Sequence, residues 1–201
     1  MMTKVVASED LESVCEVIRN HGVAAFPTET VYGVGVKFGS KEALNKLMEA
    51  KNRDYSKAIT LMVAHQNDIE KYAYVSDDAR KIIKAFMPGM ITLVFKKKES
   101  VDSMMTNGKE TIGIRIPDHK YVLSLLKSVG PMLVTSANLS NHPNTTCTNE
   151  VLEQLDGRID IVVDGKTSDN IASTVVDVSG TDLKILREGK ITKADIEEVL
   201  K

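Results

Sequence analysis

A chain of 201 residues, 42% hydrophobic and 27% charged, is long enough to bury one substantial core and has the balance of an ordinary globular domain. Its formal net charge of −2 argues against generalised nucleic-acid binding, which needs a basic surface to release counterions from phosphates; a local basic pocket stays open. Cys15 and Cys147 do not suggest a disulfide framework, and neither a signal-like stretch in Met1–Asp10 nor a run of membrane-spanning length is present, so a cytoplasmic protein with no membrane partner is expected.

Leu11, Val14, Cys15 and Ile18 recur at helical spacing behind Ser8, which is placed to cap a helix that Gly22 can end; Cys15 then reads as a buried free thiol. Val23–Phe26 is a short apolar strand running into Pro27. Ser40 opens a second helix that buries Ala43, Leu44, Leu47 and Met48, and Ile59–Val63 reads as a buried strand. Ser76 caps a helix with Ala79, Ile82, Ile83 and Phe86 on one side, stopped by Pro88-Gly89. Strands follow at Ile91–Phe95 and Thr111–Ile116, and the polar, weakly patterned Lys96–Lys109 between them reads as a mobile excursion. Val122, Leu125, Leu126 and Val129 mark a helix ended by Gly130, followed by strand Met132–Val134 and a polar loop, Thr135–Thr146. A short helix at Glu150–Leu155, strand Ile159–Val163, a turn at Asp164-Gly165, strands Thr174–Val178 and Lys184–Leu186, and a helix from about Lys193 to Leu200 complete the chain. Strands alternate with helices early and pair locally late. The expectation is a single α/β domain over residues 1–201: an open, twisted mixed sheet flanked by helices, not a regular doubly wound nucleotide fold.

Polar residues at the ends of buried strands are where α/β proteins place their sites, and four places stand out. Pro27-Thr28-Glu29-Thr30-Val31-Tyr32-Gly33-Val34-Gly35 packs hydroxyls, a carboxylate and glycines into one turn, where backbone amides can approach a ligand. On local pattern alone an ordinary turn is the better reading, because Gly-x-Gly is weak and the full dinucleotide fingerprint is absent. Lys51-Asn52-Arg53 closes the second helix. Its cations either complement the helix dipole or form a positive fork aimed at a triphosphate, with Arg bidentate, Lys a point charge and Lys57 in reach.

Thr135-Ser136-Ala137-Asn138-Leu139-Ser140 offers small, directional donors, or a Ser- or Asx-type turn; without Gly-x-Ser-x-Gly nothing marks a serine hydrolase. The fourth place combines Thr111-Ile112-Gly113-Ile114-Arg115-Ile116-Pro117 with Ser173-Thr174 and Arg187-Glu188-Gly189. Arg115 lies inside an apolar strand and needs an anionic partner, and a structural carboxylate and a substrate carboxylate stand level as candidates. His21, His65, His119 and His142 form no metal-ligand spacing, so no protein metal site is expected. His21 reads as a helix-end residue, His119 as a first-turn surface residue, and Lys96-Lys97-Lys98 as a solvated strand end.

Taken together, Phe26-Pro27-Thr28-Glu29-Thr30-Val31-Tyr32-Gly33, Ala50-Lys51-Asn52-Arg53, Pro88-Gly89-Met90-Ile91-Thr92-Leu93, Gly113–Pro117, Ser136–Ser140, Ser173–Asp177 and Leu186–Gly189 resemble, in order and spacing, the YrdC-like threonylcarbamoyl-adenylate synthase family. The similarity runs from about Leu11 to Gly189. It implies a YrdC-like sheet with a positively charged concave face, in the short, single-domain branch. It also implies an L-threonylcarbamoyladenylate synthase, a nucleotidyltransferase that joins L-threonine, bicarbonate and ATP into threonylcarbamoyl-AMP and pyrophosphate for tRNA threonylcarbamoyladenosine modification. Mg²⁺ would be carried with ATP, a downstream tRNA threonylcarbamoyl transferase machinery would take the product, and a weak RNA contact stays open.

Matched residue by residue, Lys51, Arg53, Ser136 and Asn138 fall on the family's Lys-x-Arg and Ser-x-Asn elements and carry the catalytic role. Arg53, Lys57, Thr111, Ser136, Asn144 and Arg187 are implied for ATP, and Thr30, Arg115 and Ser173 for L-threonine, with Arg115 on its carboxylate. The chain departs from many relatives at Asp54 and at Ala58-Ile59, at Met62, which aligns with a histidine of the threonine pocket, and at Asn141, which replaces a glycine. Two rivals are a YrdC-like paralogue with another reaction, opposed by the intact Lys-x-Arg and Ser-x-Asn elements, and a non-catalytic RNA-binding module, opposed by the net acidity and the 4% aromatic content.

Overall fold

A computed structural model of the chain describes residues 2–201; Met1, which belongs to the N-terminal stretch read above, lies outside the described residues. Ten strands form one sheet: β1 (Lys4–Val6), β2 (Ala24–Phe26), β3 (Gly33–Lys37), β4 (Thr60–Met62), β5 (Ile91–Lys96), β6 (Thr111–Arg115), β7 (Met132–Ser136), β8 (Ile161–Val163), β9 (Thr174–Asp177) and β10 (Lys184–Arg187). Their order is β1-β8-β2-β3-β7-β4-β6-β5-β9-β10. β1 and β2 flank β8 in parallel, β4 pairs with β6 and β5 with β9 in parallel, and the remaining neighbours are antiparallel. This is the open mixed α/β sheet expected from the sequence. Helices α1 (Leu11–Arg19), α2 (Lys41–Ala50), α3 (Ile69–Tyr72), α4 (Asp77–Phe86), α5 (Lys120–Val129), α6 (Thr148–Leu155) and α7 (Lys193–Leu200) flank it.

Successive residues of a strand face opposite sides, and here the two sides differ in chemistry. Val34, Val36, Leu61, Leu93, Ile112, Ile114 and Leu133 turn to one side, where they form the main core with Leu44 and Leu47 of α2, Ile82 and Ile83 of α4 and Val151 of α6. On the other side, Ala24, Phe26, Ile161 and Val163 build a smaller core with Val14, Cys15 and Ile18 of α1 and Val122, Leu125 and Leu126 of α5. That second side changes character along the sheet: at β4, β6, β5 and β9 it presents Thr60, Gly113, Thr92, Val94 and Val175, which line a cavity instead of a core.

Side-chain acceptors set the starts of α1, α2, α4 and α7, where they take up the first free N–H groups. Ser40 and Ser76 cap α2 and α4 as expected, while α1 is capped by Asp10, whose Oδ1 accepts from Ser13 N at 3.1 Å, and not by Ser8. The closer carboxylate wins because it meets the third residue of the helix directly. Two strands lie outside the sequence expectation. β1 buries only Val6, and β3 occupies residues read as a turn. Thr135 and Ser136, placed in a loop by sequence, extend β7 and pair with Val34 and Gly33. The stretch after β5 is not an unanchored excursion: Val101 and Met105 are buried, and the sulfur of Met105 receives the Gly39 N–H at 3.3 Å. His21 follows α1 as expected, but His119 is half-buried with its Nδ1 sealed and unpartnered, and burial lowers its pKa. Cys15 is a buried free thiol, its pKa raised by that burial. No helix among the described residues is long and apolar enough to cross a membrane.

Candidate active site

The cavity on the second face encloses about 310 Å³, within the range of small-molecule sites. Its floor is shallow in side chains. A Cβ built on Gly113 would meet Thr92 Cγ2 at 3.5 Å and Thr60 Oγ1 at 3.9 Å, ordinary contact distances, so the missing side chain deepens the cavity and does not relieve crowding. Hydroxyls at Thr30, Thr60, Thr92, Ser136 and Ser173 supply direction around this floor. Arg53, Arg115 and Arg187 supply charge, and among the described residues the lining holds no carboxylate. Such a cavity attracts an anion with several oxygens. Burial lowers the pKa of both Arg53 and Arg187, and Arg187 feels Arg115 as a second cation.

Arg115 answers to a structural carboxylate without being used up by it. Its Nη2 donates to Glu29 Oε1 at 2.7 Å and to Thr30 Oγ1 at 3.0 Å, and its Nε donates to the Gly89 carbonyl at 3.3 Å. The two side chains are only 7% and 11% exposed, and Glu29 also accepts the Asp118 N–H at 2.9 Å. Nη1 makes no hydrogen bond among the described residues and is not sealed from solvent, so the guanidinium keeps donors for a ligand anion. Across the cavity, Arg187 donates from Nε to the Ser173 carbonyl at 3.0 Å and from Nη2 to Ser173 Oγ at 3.3 Å, while Ser173 Oγ and Thr92 Oγ1 share a hydrogen bond of 2.9 Å. Gly189 closes this corner: a Cβ there would come within 2.5 Å of the Ala172 carbonyl oxygen.

The end of α2 splits two neighbouring cations. Lys51 is the C-cap, Asn52 takes the left-handed conformation (φ 47°) that asparagine tolerates, and Arg53 emerges with its N–H on the Met48 carbonyl at 2.9 Å. Arg53 reaches the cavity lining, where its Nη2 donates to the Ala58 carbonyl at 2.6 Å and its Nε is buried without a partner. Lys51 turns the other way. It is 1% exposed, does not line the cavity, and its Nζ donates to the backbone carbonyls of Ser136 and Asn138. Burial first, then Arg53 and Lys57, lower its pKa to about 7.

Of the residues singled out by sequence, Thr30, Arg53, Thr111, Arg115, Ser136, Asn144, Ser173 and Arg187 therefore line one cavity, as does Met62. Lys51, Lys57 and Asn138 do not. Asn138 is buried and spends both amide hydrogens on the Leu139 and His142 carbonyls at 2.8 Å, and Lys57 Nζ donates to Asn141 Oδ1 at 2.7 Å. Sequence reading missed Glu29 as the partner of Arg115, and Thr60 and Thr92 as cavity hydroxyls. The available signal was a threonine between Ile91 and Leu93, a polar position in an otherwise apolar strand.

A profile of the Sua5, YciO and YrdC family, described as telomere recombination, matches residues 16–189. The chain is 37% identical over 187 residues to the threonylcarbamoyl-AMP synthase of Bacillus subtilis, a match over 91% of this chain and 54% of that protein. A Methanocaldococcus jannaschii protein that carries the same name provisionally is 35% identical over 182 residues, 90% of this chain and 86% of its own length. The solved structure of Pyrococcus abyssi Sua5 complexed with L-threonine is similar at a TM-score of 0.93 and 31% identity, over 99% of this chain and 61% of that one. The chain thus spans about half the length of the Bacillus subtilis protein and most of the Methanocaldococcus jannaschii one.

Proposed function

Because this chain belongs to the Sua5, YciO and YrdC family, we propose that it is an L-threonylcarbamoyladenylate synthase, making threonylcarbamoyl-AMP and pyrophosphate from L-threonine, bicarbonate and ATP. The observation that carries the reading is the cavity itself, where three guanidinium groups and a ring of hydroxyls converge on a glycine floor without a carboxylate. The threonine amine attacks bicarbonate and water leaves; a carbamate oxygen then attacks the α-phosphorus of ATP, and the bond to the bridging oxygen of the leaving pyrophosphate breaks. The reaction needs no covalent nucleophile from the protein. It needs alignment of the reactants and donors aimed at charge that builds on phosphate oxygens, and preorganised donors in a partly dry site serve both ends.

Arg53 and the free hydroxyl of Ser136 serve the phosphates, with Thr111, Asn144 and Arg187 on the nucleotide. Thr30, Ser173 and the open Nη1 of Arg115 hold L-threonine, with Arg115 on its carboxylate; the Pyrococcus abyssi relative solved with L-threonine supports an amino-acid subsite in this fold. Mg²⁺ enters on ATP. Hard cations take oxygen ligands, and with no carboxylate in the lining the phosphates themselves hold the ion, which neutralises charge on the leaving group. The product passes to a tRNA threonylcarbamoyl transferase machinery in the cytoplasm, and with a net charge of −2 any direct RNA contact is weak.

The deciding experiment is pyrophosphate release from ATP with threonine and bicarbonate omitted in turn. Release that requires both supports the synthase. Release without threonine would assign the cavity to another reaction, and RNA binding with no turnover would make the chain a binding module.

A further inference from the structure

We infer that Lys51 is a positioning residue: its ammonium grips the Ser136 and Asn138 carbonyls, fixes the loop that presents the Ser136 hydroxyl to the cavity, and does not touch the nucleotide. This rests on the reading of the cavity as the adenylation site, and it moves a charge in the Lys-x-Arg element from the triphosphate to the wall behind it.

Three observations converge on it. The side chain is buried and absent from the cavity lining, so a phosphate oxygen could reach the ammonium only if the loop between them moved away. The ammonium is already occupied by two carbonyls: that of Asn138 has no other donor among the described residues, that of Ser136 has only the Asn138 N–H at 3.0 Å besides, and a buried carbonyl left without a donor is costly. The contact is also reciprocal, since the Lys51 carbonyl accepts the Ser140 N–H at 3.0 Å, so both ends of the Ser136–Ser140 segment are tied to the end of α2. Asn138 completes the loop from within through Leu139 and His142. Only Ser136 among these groups faces the cavity, and its hydroxyl makes no hydrogen bond within the described residues. An aliphatic residue at position 51 would fill the space but leave the Asn138 carbonyl without a donor and take the charged donor from the Ser136 carbonyl. The loop would then relax and carry Ser136 off its position.

The inference separates cleanly from direct phosphate binding in a double-mutant cycle on threonine-dependent pyrophosphate release. Lys51→Met alone should lower kcat by about tenfold or more while KM for ATP moves little, the pattern of a lost transition-state interaction. Combined with Ser136→Ala, it should cost no more than about twofold beyond Ser136→Ala alone, because residues acting through one another are non-additive. Effects that multiply would mean an independent contact and overturn the inference. A folded Lys51→Met variant with unchanged kcat would overturn it too. The wild-type chain provides an arm that does not depend on the variant folding: the NMR signal of the Lys51 ε-ammonium, assigned through its side-chain carbons, followed while a non-hydrolysable ATP analogue with Mg²⁺ is added. An unmoved signal with continued slow proton exchange supports positioning, and a large shift on saturation shows contact with phosphate. If the wild type binds nucleotide but releases no threonine-dependent pyrophosphate, the synthase reading fails while this arm still decides the role of Lys51.

Discussion

Arg53 and Lys51 are two positions apart, and the left-handed turn at Asn52 sends them to opposite sides of the cavity wall. Arg53 is the one whose planar fork can engage two phosphate oxygens, a geometry lysine cannot reproduce. Removing one transition-state donor typically costs about 2.7–4 kcal/mol, roughly a hundred- to thousandfold in rate. Arg53→Ala should therefore lose most threonine-dependent pyrophosphate release at saturating ATP, with Arg53→Lys recovering part of it and thermal melting unchanged in both. Lys96→Ala serves as a control, since Lys96 is exposed beside Tyr74 and does not line the cavity.

Lys51 makes a different prediction. Its folded-state pKa is lowered from 10.5 to about 7, so between those values the unfolded chain binds the proton that the folded chain has released. Stability should rise with pH across that window, and below about pH 7 the cost of burying the charge is fully present. Denaturant midpoints of the wild type relative to Lys51→Met should climb between pH 7 and 10 and run level at lower pH. A difference that stays flat across the window would refute the assignment. The neutral amine still has hydrogens for both carbonyls, so the loop need not open as the charge is lost. The identity of these residues was legible in the sequence, but their division of labour was not. Spacing says that Lys51 and Arg53 share a helix end; it does not say that a left-handed residue between them separates their directions.

At the scale of elements, the longer helices were readable through an apolar face at helical spacing, helped by a cap where one exists, as in α2 with Ser40 ahead of Ala43, Leu44 and Leu47, whereas α3, four residues long and uncapped, went unread. A three-residue strand that buries a single side chain carries too little pattern, and β1 went unread for that reason; β3, five residues long, went unread for another. β3 is rich in glycine, which usually argues for a turn. In the folded sheet the reason is contact: a Cβ on Gly35 would stand 2.9 Å from Val134 Cγ2 and 3.1 Å from the Leu133 carbonyl oxygen. Gly113 is the opposite case, with room above it. The two glycines should respond differently to the same methyl group. Gly35→Ala should destabilise by about 1–3 kcal/mol, the usual range for overpacking, which equilibrium denaturation would register. Gly113→Ala should melt close to wild type yet raise KM for a substrate, because its methyl occupies the cavity floor. If Gly113→Ala proves as unstable as Gly35→Ala, the floor is packed and the depth argument fails. The segment after β5 was misjudged because its two apolar anchors, Val101 and Met105, are few and separated by polar residues, and only the packed structure shows where they go.

For the molecule as a whole, one side of the sheet is sealed by aliphatic side chains and the other, beyond its smaller core, is opened by threonines and a glycine at β4, β6, β5 and β9, so along those strands stability and chemistry are carried by alternate residues. Ligands that bind only this arrangement should stabilise all of it. At a concentration near a hundred times Kd a ligand adds about 2.7 kcal/mol. L-threonine in the presence of a non-hydrolysable ATP analogue should raise the melting temperature more than L-valine does. Hydroxyls at Thr30 and Ser173 can answer the substrate hydroxyl, and a site built to hydrogen-bond a group rejects the analogue that lacks it. Equal shifts for the two amino acids would show that the pocket senses shape alone, with Met62 the side chain to replace first.

The order of the strands also has a consequence for how the protein comes into being. Lys4 lies opposite Ile161, so β1 leaves the ribosome long before the strand it pairs with exists. Thr30 emerges early, but Ser173 and Arg187 complete the same cavity only with the last two strands. Until β8 is made the nascent chain exposes an unfinished sheet edge, the kind of surface that chaperones cover. The complete cavity cannot assemble until β9 and β10 have been made, so a chain that stalls before them lacks both groups.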